Sequence, residues 1–271
     1  MINPAILNFK TYLPETNAYL NSDSALSSLS TQIKDGIDRW FRDLQGFSNA
    51  SYTTFNVWSK LIFIYPIIGG TSTSVAVNAK SPGTYNLTHT GSPTIQASVG
   101  SWIQYSVSSQ YSITNYSPPN SGSWNTSEPS TLGVHRRDTN EDTTATFGIA
   151  SGGSTYIIVR SDNFRNHVLG SGAGVNGGGT LGVNALWQTG MLTSTLQKSY
   201  RNGTVVNSNT ISFGNTGNNN LYLGAYRGGG GAVHGGPNTV DYVYLGKDLW
   251  TDSEQLFMYN AFNALQTILG R

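Results

Sequence analysis

The chain has 271 residues, of which 11% are charged, a formal net charge of +1, 32 glycines and no cysteine. A charged fraction far below the roughly 25% of average globular domains, with no long basic block, excludes the electrostatic footprint of a nucleic-acid or anionic-membrane binder. The missing cysteines exclude disulfides and thiolate metal sites, and 37% hydrophobic residues with aromatics along the whole length exclude a disordered chain.

The opening stretch MINPAILNFKTYLPETNAYLN has apolar residues at Ile6, Leu7, Phe9, Tyr12, Leu13, Tyr19 and Leu20, two prolines and no clean period. It reads as an arm, without the cationic leader and apolar run of a secretory signal. Ordering such a segment costs about 1–2 kcal/mol per residue in backbone entropy. The expectation is that a neighbouring subunit covers Ile6, Leu7, Phe9, Tyr12 and Leu13; the alternative is an arm folded back on its own chain.

Residues 22–46, SDSALSSLSTQIKDGIDRWFRDLQG, place Leu26, Leu29, Ile33, Ile37, Trp40, Phe41 and Leu44 on one face of a helix. Ser22 or Asp23 is the N-cap and Gly46 the stop. TTFNVWSKLI, residues 53–62, reads as a second short helix with Phe55, Trp58, Leu61 and Ile62 inward. The apolar run LIFIYPII at 61–68 is too short to cross a bilayer and contains Pro66.

Beyond Pro66 the texture changes to short alternating runs between Gly, Asn and Ser clusters: TSVAVNA, TIQASVG, SWIQYSVSS, STLGVHRR, ATFGIAS, TYIIVRS, LGVNALWQ, LQKSYRNGTVV, NLYLGAYR and VDYVYLG. Runs at this spacing with no helix-length pattern between them predict a sandwich or barrel. RNGT at 201–204 predicts a type I′ hairpin turn, whose two central residues need positive φ. Thr251 and Glu254 form a capping box that opens a last helix over 252–269, with an apolar stripe of Phe257, Ala261, Leu265 and Ile268 and Gly270 as its end. That stripe needs a partner, and the helical surfaces at 22–62 are the expected one.

SYRNGTVV, NLYLGAYR and VDYVYLGKDLWTDSE, in that order, resemble the last third of concanavalin A-like (laminin G-like) jelly rolls. WSKLIFIYPIIGGTSTSVAVNAKSP, STLGVHRRD and the terminal ALQTILGR are similar to the version of that fold found in tailed-bacteriophage virion proteins, over roughly residues 33–271. The resemblance implies a mainly β chain: a concanavalin A-like jelly-roll β-sandwich with an N-terminal helical segment (1–64) and a jelly roll closed by a C-terminal helix (65–271). It further implies a non-enzymatic virion component attached to capsid or tail, made in the host cytoplasm and carried in the virion. Its expected partners are other virion proteins, reached through the arm, and further copies of itself.

The same fold includes glycoside hydrolases, and retaining hydrolysis needs two carboxyls about 5–5.5 Å apart. The β-glucanase-like spacing E-x-D-x-x-E is absent; the four glutamates are Glu15, Glu128, Glu141 and Glu254. Asp138, Glu141 and Asp142 form the one acidic cluster of the sandwich and read first as a solvated hairpin tip, then as a calcium or sugar site, and last as catalytic. His89, His135, His167 and His234 lack metal-ligand spacing and read as surface or loop residues. The glycine runs at 170–179 and 227–236 lack the Gly-Lys-Ser/Thr ending of phosphate loops and read as long connections. No catalytic residue, metal or cofactor is assigned. A glycan-binding alternative, with a host surface glycan as ligand, would use Trp187 and Tyr226 as an aromatic platform and Asn163, Arg165, Asn166 and Arg227 as hydrogen-bonding partners; against it, Trp187 and Tyr226 simply fill the sandwich.

Overall fold

The structure, a computed structural model, describes residues 11–47, 55–117, 129–137, 145–150, 154–158, 164–167, 175–177, 184–210, 220–227 and 233–271. The alternating runs form two antiparallel sheets. In the first, β13 (Thr204–Thr210), β12 (Leu196–Arg201), β11 (Ala185–Met191), β6 (Pro129–Arg136), β17 (Asn238–Lys247), β4 (Ile103–Tyr105) and β3 (Thr94–Ile95) lie side by side. β1 (Leu61–Tyr65) pairs with the second half of β17, while β4 takes the first half. The second sheet runs β10 (Val175–Gly177), β9 (Phe164–His167), β8 (Ser154–Ile158), β7 (Ala145–Ala150), β14 (Tyr222–Leu223), β5 (Tyr111–Ile113) and β2 (Thr88–Thr90). A two-stranded ribbon of β15 (Ala225–Arg227) and β16 (Val233–Gly235) pairs with itself and lies beside β7 of the second sheet. The architecture is a β-sandwich of jelly-roll type with helices at its N- and C-terminal ends.

Strand alternation divides the first sheet between two cores. Leu132, Val134, Val243 and Leu245 face the second sheet and meet Leu221 and Leu223 there. Leu186, Tyr242 and Tyr244 face the other way, under a layer of helices. That layer contains α1 (Pro14–Leu20), α2 (Ser24–Ser27), α3 (Thr31–Leu44) and α4 (Asp252–Leu269). Tyr19, Leu26, Ile37, Trp40, Phe41, Met258, Phe262 and Leu265 fill the space between helices and sheet. The expected pairing of the last helix with the 22–46 segment is observed, with α4 packed on α3. Both halves of its capping box form, and Gly270 closes it at φ 68°. The Asn-Gly turn also forms as expected, with Asn202 at φ 52° and Gly203 at φ 75°.

Four expectations are corrected. The 22–46 helix is two, because Asp23 caps α2 and Ser30 starts α3 afresh. The 53–62 helix is one 3₁₀ turn at Trp58–Lys60 followed directly by β1, so the boundary expected at residue 64 falls inside a strand of the main sheet. TSVAVNA is no strand but contains a 3₁₀ turn at Ser74–Ala76. Part of the arm is an element of its own: Pro14 sits at the start of α1 with Glu15 in its first turn, both favourable at a helix N-terminus. The buried Asp38 of α3 accepts hydrogen bonds from the Leu13 backbone (2.8 Å), Thr16 Oγ1 (2.9 Å) and Arg42 Nε (2.8 Å). Tyr12, bonded to Asp35, and Leu13 pack, partly buried, against the chain's own core. Ile6, Leu7 and Phe9 lie outside the described residues.

Candidate functional site

On the helix side of the first sheet, the strand pattern breaks at one point. Val240 of β17 pairs with Arg136, but Tyr242 pairs with His135, so Asp241 is one residue too many. Such a bulge re-aims the side chain it carries. Here Asp241 and Tyr242 both turn to the helix side, while Val240 and Val243 stay in the inter-sheet core. His135 occupies the matching outward position on β6, two residues after Gly133. Its Nδ1 lies 2.5 Å from Asp241 Oδ1. A carboxylate only accepts, so Nδ1 carries the hydrogen and Nε2 is the ring nitrogen left over. The imidazole packs on Phe262 of α4, with centroids 4.4 Å apart.

Around this pair lies a half-open hollow of about 210 Å³. One wall is α4, where Tyr259, Phe262, Asn263 and Gln266 share a face at three- and four-residue spacing. Arg137 extends β6 at one rim, and Asn184 with Asn202 of the hairpin turn form another. Arg271 forms the floor beside Asp241, four of its five N–H donors already committed. Its guanidinium donates to the carbonyls of Pro66 (2.9 Å), Ile67 (3.1 Å), Asp241 (3.2 Å) and Ser101. Burial pulls this arginine below its ordinary pKa, and Asp241 opposes that pull. The terminal Leu-Gly-Arg thus has a physical job: Leu269 is buried, Gly270 ends the helix, and Arg271 ties it to the sheet.

Three buried polar atoms at this hollow have no hydrogen-bond partner: Asp241 Oδ2, Gln266 Nε2 and Arg271 Nε. Asp241 Oδ2 is 3.5 Å from Arg137 Nη1 and 3.9 Å from Arg271 Nε, close enough for attraction without a hydrogen bond. Buried polar atoms in folded proteins are nearly always paired, each lapse costing about 1–3 kcal/mol. All three belong to residues that line the hollow.

The described residues expected from sequence to bind a glycan lie on three separate elements. Trp187 lies on β11 with its ring in the inter-sheet core, 4% exposed, under the Arg201 guanidinium at 5.5 Å. It fills the sandwich. Arg165 and Asn166 lie on β9 in the second sheet, and Tyr226 and Arg227 lie on the separate ribbon. That ribbon also corrects the reading of 227–236 as a plain connection. Asn163 and the acidic cluster Asp138, Glu141 and Asp142 lie outside the described residues. His135 is not a surface residue, being 5% exposed. Its position in STLGVHRR, two after an outward glycine, marks it as helix-facing once the sheet is known. The bulge that brings Asp241 to it has no signature in VDYVYLG.

No family model matches the chain, and no curated protein sequence matches it. Similar folds occur among solved structures. The binding domain of Paraclostridial Mosquitocidal Protein 1 superposes with a TM-score of 0.54 at 12% identity, over 76% of this chain and 53% of that one. A structure of botulinum neurotoxin type C, which depends on interaction with two ganglioside molecules to enter cells, gives 0.50 at 10% identity, over 76% and 52%. A mutant Trypanosoma rangeli sialidase displaying trans-sialidase activity gives 0.57 at 12% identity, over 86% and 39%. The chain therefore spans about half of the toxin structures and two fifths of the sialidase. At such identities the likeness establishes the β-sandwich fold.

Proposed function

We propose that this chain is a non-catalytic glycan-binding module whose site is the hollow between β6, β17 and α4. The observation that carries the reading is the convergence of Asp241 Oδ2, Gln266 Nε2 and Arg271 Nε, buried and unpaired, on a hollow walled by Tyr259 and Phe262. A sugar ring presents hydroxyls that both donate and accept, and a flat C–H face that packs on aromatics. The hollow is smaller than the ~300–1,000 Å³ of drug-sized sites, which suits one terminal residue of a glycan. The ganglioside dependence of one structural neighbour supports the same reading by analogy of fold. Hydrolysis is the weaker reading, because among the described residues the hollow is lined by one carboxylate, Asp241, where paired-carboxyl mechanisms need two.

The setting we propose is the virion of a tailed phage, as a capsid- or tail-attached component that meets a host surface glycan. It rests on the ordered motifs from WSKLIFIYP to ILGR, among which the final Leu-Gly-Arg now has a structural role. Glycan-array binding of the whole chain, followed by calorimetry on the best ligand, tests the function. Tyr259→Ala and Asn263→Ala should each weaken binding about tenfold, the scale of one lost ring contact or buried hydrogen bond. Absence of binding to every glycan, or binding indifferent to both substitutions, overturns it.

A further inference from the structure

Resting on that reading, we propose that the sugar is an acidic one, a monosaccharide bearing a carboxylate next to hydroxyls. The unpaired atoms of the hollow are unequal in kind. Of these three, Gln266 Nε2 and Arg271 Nε are donors and Asp241 Oδ2 is an acceptor, beside the acceptor nitrogen Nε2 of His135. Arg137 adds a third donor group. Its side chain is 32% exposed, and Nη1 stands 3.5 Å from Asp241 Oδ2, which leaves its fork facing the opening. Among the described lining residues the side-chain charges, with histidine left out of the count, are Arg137 and Arg271 against Asp241, an excess of one positive charge. The hydroxyl oxygens of a neutral hexose can accept from these donors, but they bring no charge to the guanidinium. A carboxylate accepts only, and through two oxygens, which suits a guanidinium fork beside an amide donor. A neighbouring hydroxyl then donates to Asp241 Oδ2. A sugar acid answers both demands.

The discriminating pairs differ at one carbon: methyl glucuronide against methyl glucoside, and methyl galacturonide against methyl galactoside, with a methyl sialoside as a third acid. Calorimetry or ligand-observed NMR on the whole chain should give at least one acid binding about tenfold or more tighter than its neutral partner, the scale of one charge-assisted contact. Higher salt should reduce the difference. Arg137→Gln should remove most of the acid's advantage, bringing the ratio of acid to neutral affinity close to one. Gln266→Glu, which keeps the shape and exchanges a donor for a negative charge, should abolish the preference at an unchanged melting temperature. Neutral sugars bound as tightly as acids, or an acid preference that survives both substitutions, overturn this inference and leave the glycan-binding reading standing. A hollow that takes water only, with no sugar of either kind bound at millimolar concentration and none on the array, overturns both.

Discussion

Gly133→Ala is the sharpest test of how the helix layer sits on the sheet. A methyl group at Gly133 would stand 2.1 Å from Cε1 and 2.6 Å from Cζ of Tyr244, the neighbour on β17. The ring cannot swing aside cheaply. Its hydroxyl takes a hydrogen bond from Gln188 Nε2 (2.8 Å) and gives one to Gln255 Oε1 (3.0 Å), and its face stacks on Trp250 at 6.0 Å. Alanine should gain about 0.5–1 kcal/mol over glycine in a strand. Overpacking costs about 1–3 kcal/mol, and disturbing the buried hydrogen bonds about 1–3 kcal/mol more. The net expectation is a loss of about 2–4 kcal/mol, read from urea unfolding with the slope checked for constancy. The decisive arm is a double-mutant cycle with Tyr244→Leu. In that background the ring is gone, and Gly133→Ala should cost under about 1 kcal/mol, a coupling of about 2 kcal/mol. Additive losses, or a single Gly133→Ala protein as stable as the parent, would show that the ring does not lie over this glycine.

Two further outcomes follow from the buried charges and phenols. Asp241→Asn leaves His135, Arg137 and Arg271 without their shared carboxylate, so stability should fall by about 3 kcal/mol, the cost of breaking a buried pair; a change below 1 kcal/mol in denaturant unfolding would refute the cluster's structural role. Burial raises the phenols of Tyr65, Tyr105, Tyr242 and Tyr244 above the ordinary 10.0, so above pH 10 the unfolded chain releases protons that the folded one keeps. Stability is then full below about pH 10 and lost as pH rises beyond it, and phenolate absorbance from these residues should appear together with loss of tertiary circular dichroism, a coincidence whose absence refutes the linkage.

Elements whose signals are local were legible in the sequence. Thr251 and Glu254 cap α4 through each other, and Asn202-Gly203 turns the hairpin through its own backbone; neither needs information from elsewhere in the chain. α1 was not legible, because seven residues with Tyr19 and Leu20 as the apolar pair carry too little period. What holds it is Asp38, 25 positions from Leu13. Trp58–Lys60 looked helical for the opposite reason: local spacing favoured a helix, and β1 won through its pairing with β17 nearly two hundred residues away. The site itself was invisible for a related cause. Residue type points to Trp187, Tyr226 and the amides near 165, whereas this hollow draws on β6, β17, the hairpin turn and α4, joined by a bulge that no residue type announces.

That bulge also bears on why charged groups occupy this face. Elsewhere the side of the first sheet under the helices is covered by Leu186, Tyr242, Tyr244 and Trp250. At one end the same face carries His135, Asp241 and Arg271 instead, each close to fully buried. Buried ion pairs seldom stabilise a fold beyond what well-packed apolar residues would give, and these pairs leave three polar atoms unmatched besides. Packing alone gives no reason for such an arrangement. A polar ligand that completes the hydrogen bonds does, because the energy withheld in the free protein is recovered on binding. The helix layer supplies the rest: laid over a flat strand face it makes a core, and laid over a bulged one it leaves a hollow with a charged floor.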